Sequence, residues 1–147
     1  MRMEYKLPSS GKEAIFSQGV FFVDNAMNKI LVIDKDRQVR ESVSLLLETV
    51  GYTVMVAKTS QEGLQSQTNF QASLIIMDVV ALEDREEESI QDASQQSPIP
   101  LITLTGNLPS SGGTFPFLRQ FFQPICTLPK PFTGDELLQT VQMVLAH

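Results

Sequence analysis

The chain has 147 residues, of which 42% are hydrophobic, enough for one domain with a core of ordinary size. A formal charge of -6 argues against nucleic acid as a direct partner, because phosphate backbones are met by positive surfaces. Cys126 is the lone cysteine and His147 the lone histidine, which argues against an internal disulfide, a histidine-based metal site and Ser-His-Asp chemistry, and suits a reducing cytoplasm. No apolar run approaches the length of a membrane span.

Residues 1–26 read as an N-terminal extension to a domain over 27–147. Lys6 to Gly11 is turn-like, with Pro8, Ser9, Ser10 and Gly11 together. Ile15 to Val23 is apolar but broken by Ser17, Gln18 and Gly19, and no small-residue cleavage site follows, so a signal peptide is disfavoured. Two readings stay open. The segment is a flexible arm upstream of a start at Met27, or Phe21-Phe22-Val23 docks as an extra strand or on an apolar patch.

From Lys29 the chain alternates. Ile30 to Ile33 is a buried strand ending at Asp34, and Arg37 to Val50 carries Val39, Val43, Leu46, Leu47 and Val50 at helical spacing with Gly51 as the stop. Tyr52 to Ala57 is a second strand. Thr59 and Glu62 have capping-box spacing and open a short polar helix through about Gln67. Ser73 to Asp78 is a third strand, apolar from Leu74 to Met77 and ending in a carboxylate.

Beyond it the rhythm weakens. Leu82 to Gln96 crowds Glu83, Asp84, Glu86, Glu87 and Glu88 at its start and reads as a solvated loop with a short helix. Pro100 to Thr105 is a fourth strand and Ile125 to Leu128 a fifth. Pro109, Gly112, Gly113, Pro116 and Pro124 oppose a regular helix between them, leaving a turn or two over Phe117 to Phe122. Thr133 to Glu136 is a second capping box, opening a final helix with Leu137, Leu138, Val141, Val144 and Leu145 on one face.

Strands separated by helix-sized segments imply an α/β fold: a doubly wound five-stranded parallel sheet, flavodoxin-like, with its third and fourth helices short or irregular. Right-handed crossovers gather the strand tips at one edge. Asp34, Asp78, Thr105 and Lys130 all lie there. A carboxylate flanked by a hydroxyl and an ammonium suits reversible acceptance of a phosphoryl group.

The fragments Ile30-Leu31-Val32-Ile33-Asp34-Lys35-Asp36 with Arg40, Leu74 to Asp78, Pro100 to Gly106, and Leu128-Pro129-Lys130-Pro131-Phe132, in that order, resemble the receiver (CheY-like) domain of two-component response regulators. The resemblance implies a signalling domain and not an enzyme. Asp78 would be the phosphoacceptor, Thr105 the switch hydroxyl, and Lys130 the charge partner, set by a Lys130-Pro131 bond often held cis. Asp34, Asp78 and the Val80 carbonyl would be metal ligands. It also implies a sensor histidine kinase or phosphotransfer protein as donor, a downstream protein target, no membrane or nucleic-acid partner, and a face the family uses for self-association.

The sequence departs from the pattern in ways that bear on chemistry. The second acid of the usual acidic pair is Lys35, which removes a ligand and adds a repulsive charge, putting Mg²⁺ in doubt. Asp36 is a weak substitute ligand, its register being that of a helix N-cap. Lys35 either flanks Asp78 together with Lys130 or points to solvent along its own stem. Val79-Val80-Ala81-Leu82 stands where the family has Met-Pro, and Thr127 occupies its aromatic switch position. Phe115, Phe117, Phe121 and Phe122 read as core filling for a missing helix or as a partner patch. The expected function is a single-domain receiver that signals by protein contact, with a phosphorylation-independent interaction module as the alternative.

Overall fold

A computed structural model of the chain describes residues 11–16, 19–24, 28–78, 99–106, 118–119 and 122–146. Near the N-terminus, β1 (Gly11–Phe16) and β2 (Gly19–Asp24) pair antiparallel with each other, not with the main sheet. The main sheet holds β3 (Lys29–Ile33), β4 (Thr53–Ala57), β5 (Leu74–Asp78), β6 (Ile99–Thr105) and β7 (Phe122–Pro129), all parallel, in the order β4-β3-β5-β6-β7. The described helices are α1 (Arg37–Val50), α2 (Ser60–Phe70) and α3 (Gly134–Leu145).

Local chemistry sets the helix ends. The Asp36 carboxylate accepts the Gln38 N–H at 2.9 Å and caps α1. Gly51 closes it at φ 114°, a left-handed conformation that a Cβ would oppose. Its N–H reaches the Glu48 carbonyl and that of Tyr52 the Leu47 carbonyl, so two end carbonyls are satisfied. In α3, the Thr133 hydroxyl and the Glu136 carboxylate satisfy each other's backbone N–H groups.

Two boundaries differ from expectation by three residues. Helix α2 runs on to Phe70, three residues past Gln67, because Gln67 is itself buried there. Its side-chain amide accepts the Ala72 N–H at 3.0 Å and donates to the Ala72 carbonyl at 3.2 Å, joining the helix to the start of β5. Strand β7 begins at Phe122, not Ile125, and takes in Pro124 and its neighbours. It is an edge strand, where a residue without an N–H can face away from the ladder. Phe122 is therefore a buried strand residue, and Leu118 and Arg119 form a short 3₁₀ turn before it. The expected third helix, most of the expected fourth, and Phe115, Phe117 and Phe121 lie outside the described residues.

Strand register explains the core. Val32 stands between Val56 and Ile76, Ile76 beside Ile102, and Ile102 beside Cys126, one row across the sheet. Side chains alternate between faces, so Ile30, Val32, Leu74, Ile76, Ile102 and Leu104 pack with α1 and α3. Leu31, Ile33, Ile75, Met77 and Leu101 pack on the other side with Leu64 of α2, Leu118 and Phe122.

Candidate functional site: a lysine between two aspartates

The register that builds the core also delivers the site. Ile33 is level with Met77, so the next residues, Asp34 and Asp78, fall side by side at the strand tips. Thr105 is level with Pro129, and Lys130 follows one residue later at the same edge. The Lys130 N–H donates to the Thr105 carbonyl at 2.7 Å, extending the ladder one step.

The ammonium closes the arrangement. Lys130 Nζ donates to Asp34 Oδ2 at 2.9 Å and to Asp78 Oδ2 at 2.7 Å. The side chain of Asp34 is 1% exposed, that of Asp78 10% and that of Lys130 23%, so these charge-assisted bonds are shielded from water on most sides. The other Asp34 oxygen, Oδ1, accepts the Asp36 N–H at 2.8 Å. The Lys130-Pro131 bond is cis.

Burial pushes the Asp34 carboxyl above its usual range and the Asp78 charge adds to this, while Lys130 and the Asp36 N–H pull it back. Burial works to lower the Lys130 ammonium, but its bonds to Asp34 and Asp78 outweigh that and leave it above its ordinary value. The arrangement keeps Lys130 charged and holds both carboxylates within reach of one cation.

Asp34, Asp78 and Lys130 are thus brought together. Thr105 sits at the same edge and gives Lys130 its backbone carbonyl, while its hydroxyl bonds none of the three. Val80 lies outside the described residues. Asp36 contributes its N–H to Asp34 and commits its carboxylate to the cap of α1. Lys35 is exposed, and the cation bonded to both aspartates is Lys130. Arg40 has a role that sequence reasoning left unassigned. Its Nη1 donates to the Asp34 carbonyl at 2.8 Å and the Lys35 carbonyl at 3.1 Å, tying α1 to the tip of β3. The available signal was its place one turn into the helix, where side chains lean back toward the N-terminus.

A divalent ion of the Mg²⁺ type wants about six oxygens near 2.0–2.1 Å. Among the described residues no three His, Cys, Asp or Glu side chains are grouped to hold a metal. Both Asp34 oxygens and one Asp78 oxygen are already hydrogen-bonded, and an ammonium stands between the acids. As arranged, this donor set does not fit such an ion.

Among the described residues, one hollow lies beside the site and another away from it. One, of about 580 Å³, opens beside Lys130 between Asp36, Val39 and Ser42 of the α1 side and Pro131 and Phe132 of the following loop. The other, about 450 Å³, lies farther down β6 and β7. There the hydroxyls of Thr103 and Thr127 sit 3.1 Å apart, with Leu118, Phe122 and Ile125 around them.

Five parallel strands in this order, with an aspartate at the central tip and a lysine on the last strand reaching it, define a response-regulator receiver domain. The comparisons with known proteins agree. Residues 29–142 match the family model described as "Flagellar regulatory protein FleQ", and the chain belongs to that family. It is similar to a CpxR transcriptional regulatory protein homolog of Haemophilus influenzae, 29% identical over 119 residues that cover 81% of this chain and 51% of that protein. A CheY-like receiver from Methanospirillum hungatei matches with a TM-score of 0.67 and 26% identity over 81% of this chain and 94% of its own. The chemotaxis response regulator CheY4 of Vibrio cholerae matches with a TM-score of 0.65 and 27% identity, over 80% and 98%. The chain spans about half the length of curated relatives such as these. No described helix is long and apolar enough to cross a membrane.

Proposed function

We propose that this receiver accepts a phosphoryl group on Asp78 from a sensor histidine kinase or a phosphotransfer protein, in the cytoplasm, and passes the signal on by protein contact. The observation that carries the reading is Lys130 Nζ held 2.7 Å from Asp78 Oδ2. An Asp78 oxygen attacks phosphorus, the P–N bond of the donor phosphohistidine breaks, and the freed imidazole nitrogen takes a proton from water. Lys130 neutralises charge on the phosphoryl oxygens, which is where such transfers gain most of their rate. The Thr105 hydroxyl, at the same edge, donates to one of those oxygens once the group has arrived. The family's description as a flagellar regulatory protein supports a role for the signal in the control of flagella.

The test is to incubate the protein with acetyl phosphate and Mg²⁺ and weigh it intact. One phosphoryl group per chain is expected, absent from Asp78→Ala. An unmodified wild-type protein, or an adduct that survives in Asp78→Ala, would sink the reading. A swimming assay on a strain lacking the gene checks the setting, with altered motility as the expected result.

A further inference from the structure

We propose that this site carries its own cations and keeps no resident divalent metal, with Lys130 standing where such an ion would bind. The inference deepens the phosphoacceptor reading of Asp78 and rests on it for its second test, though not for its first.

Three of the four carboxylate oxygens of Asp34 and Asp78 are committed before any ion arrives. Asp34 Oδ1 holds the Asp36 N–H, while Asp34 Oδ2 and Asp78 Oδ2 hold Lys130 Nζ at 2.9 and 2.7 Å. The carboxylate of Asp36, next along the chain, accepts from Gln38 instead of facing the pair. A divalent ion would have to draw two oxygens away from a partly buried ammonium. It would do so beside further positive charge: Lys35 directly follows Asp34, and the Arg40 guanidinium lies 2.8 Å from the Asp34 carbonyl. With Lys130 and the Arg40 guanidinium set against Asp34 and Asp78, the formal charges cancel without a metal. A divalent cation would therefore meet an electrostatically balanced tip where a metal site needs surplus negative charge.

The first test titrates MgCl₂ into the 147-residue chain and follows the amide shifts of residues 34–36 and 78 by NMR. The wild type is expected to show no saturable shift up to about 10 mM, a weak limit on the affinity scale. Lys35→Asp restores a carboxylate and removes a cation, and is expected to bind Mg²⁺ about tenfold tighter or more. Lys130→Met, where circular dichroism shows it folded, is expected to gain affinity as well; if it does not fold, Lys35→Asp decides. Saturable one-to-one binding by the wild type overturns the inference, and so does a Lys35→Asp variant that binds no better than wild type.

The second test repeats the acetyl phosphate reaction in excess EDTA, where the adduct is expected to persist. An adduct that forms with Mg²⁺ and vanishes with EDTA overturns the inference and leaves Asp78 as acceptor. No adduct under either condition overturns the acceptor reading and leaves the titration to judge the metal.

Discussion

The two faces of the parallel sheet are finished by different means. Toward α1 and α3 every sheet residue of the core is aliphatic, and Leu47, Val50, Leu137 and Val141 seal it to 1% exposure or less. Toward α2 the β3 and β5 side chains are sealed equally well, yet the β6 and β7 end of that face carries Thr103, 4% exposed, and Thr127. The contrast teaches what helical periodicity does for a fold. Where the sequence supplies a helix with an apolar stripe, the sheet beneath can be wholly apolar. Where Pro and Gly break that stripe, between Gly106 and Pro124, two hydroxyls on adjacent strands bond each other, and the Thr103 hydroxyl also lies 3.4 Å from the Cys126 carbonyl.

The contrast can be broken most forcefully at Leu47. Truncation to Ala on the helix-sealed face is expected to cost about 2–5 kcal/mol, read as a lower urea midpoint with an unchanged slope. Tyr52 sharpens it by chemistry. Burial in the same cluster pushes its phenol up to about 12 from an ordinary value of 10, so the folded state favours the neutral ring. That stabilisation is whole below pH 10 and is lost as pH climbs through about 12. About 2–3 kcal/mol should disappear across that window, and Tyr52→Phe should remove this part of the alkaline loss, measured by denaturation at successive pH values.

On the opposite face, Gly63 lets α2 approach β3 so closely that an added Cβ would lie 2.6 Å from Ile33 Cδ1. Since Ile33 is fully buried and has little room to retreat, Gly63→Ala is expected to destabilise by about 1–3 kcal/mol in spite of its better helix propensity. The smallest effect belongs to the hydroxyl pair. Replacing both Thr103 and Thr127 by Val removes donor and acceptor together and should change stability by less than about 1 kcal/mol. A double variant that loses several times as much would show that the pair does more than satisfy itself.

The same local logic decides what could be read in advance. Helix α1 was legible to the residue because Asp36 and Gly51 mark its ends in the sequence. The end of α2 was not, because Gln71 takes the left-handed turn at φ 54° and the tie from Gln67 to Ala72 has no local signature. The start of β7 was hidden by Gln123 and Pro124, which look like breakers until the strand is known to lie at an edge. Asp34, Asp78 and Lys130 could be placed because strand tips in a parallel sheet share an edge, a matter of topology and not of detail. The two hydrogen bonds from Lys130 and the tie from Arg40 depend on rotamers and loop course, which no periodicity encodes.

One backbone bond has a mechanical corollary. The amide of Lys130 hangs from the carbonyl of Thr105, so the end of β6 and the root of the lysine side chain move as one body. A tug on that strand end is transmitted through a lever one peptide long to both acids, and neither needs to change its chemistry to feel it.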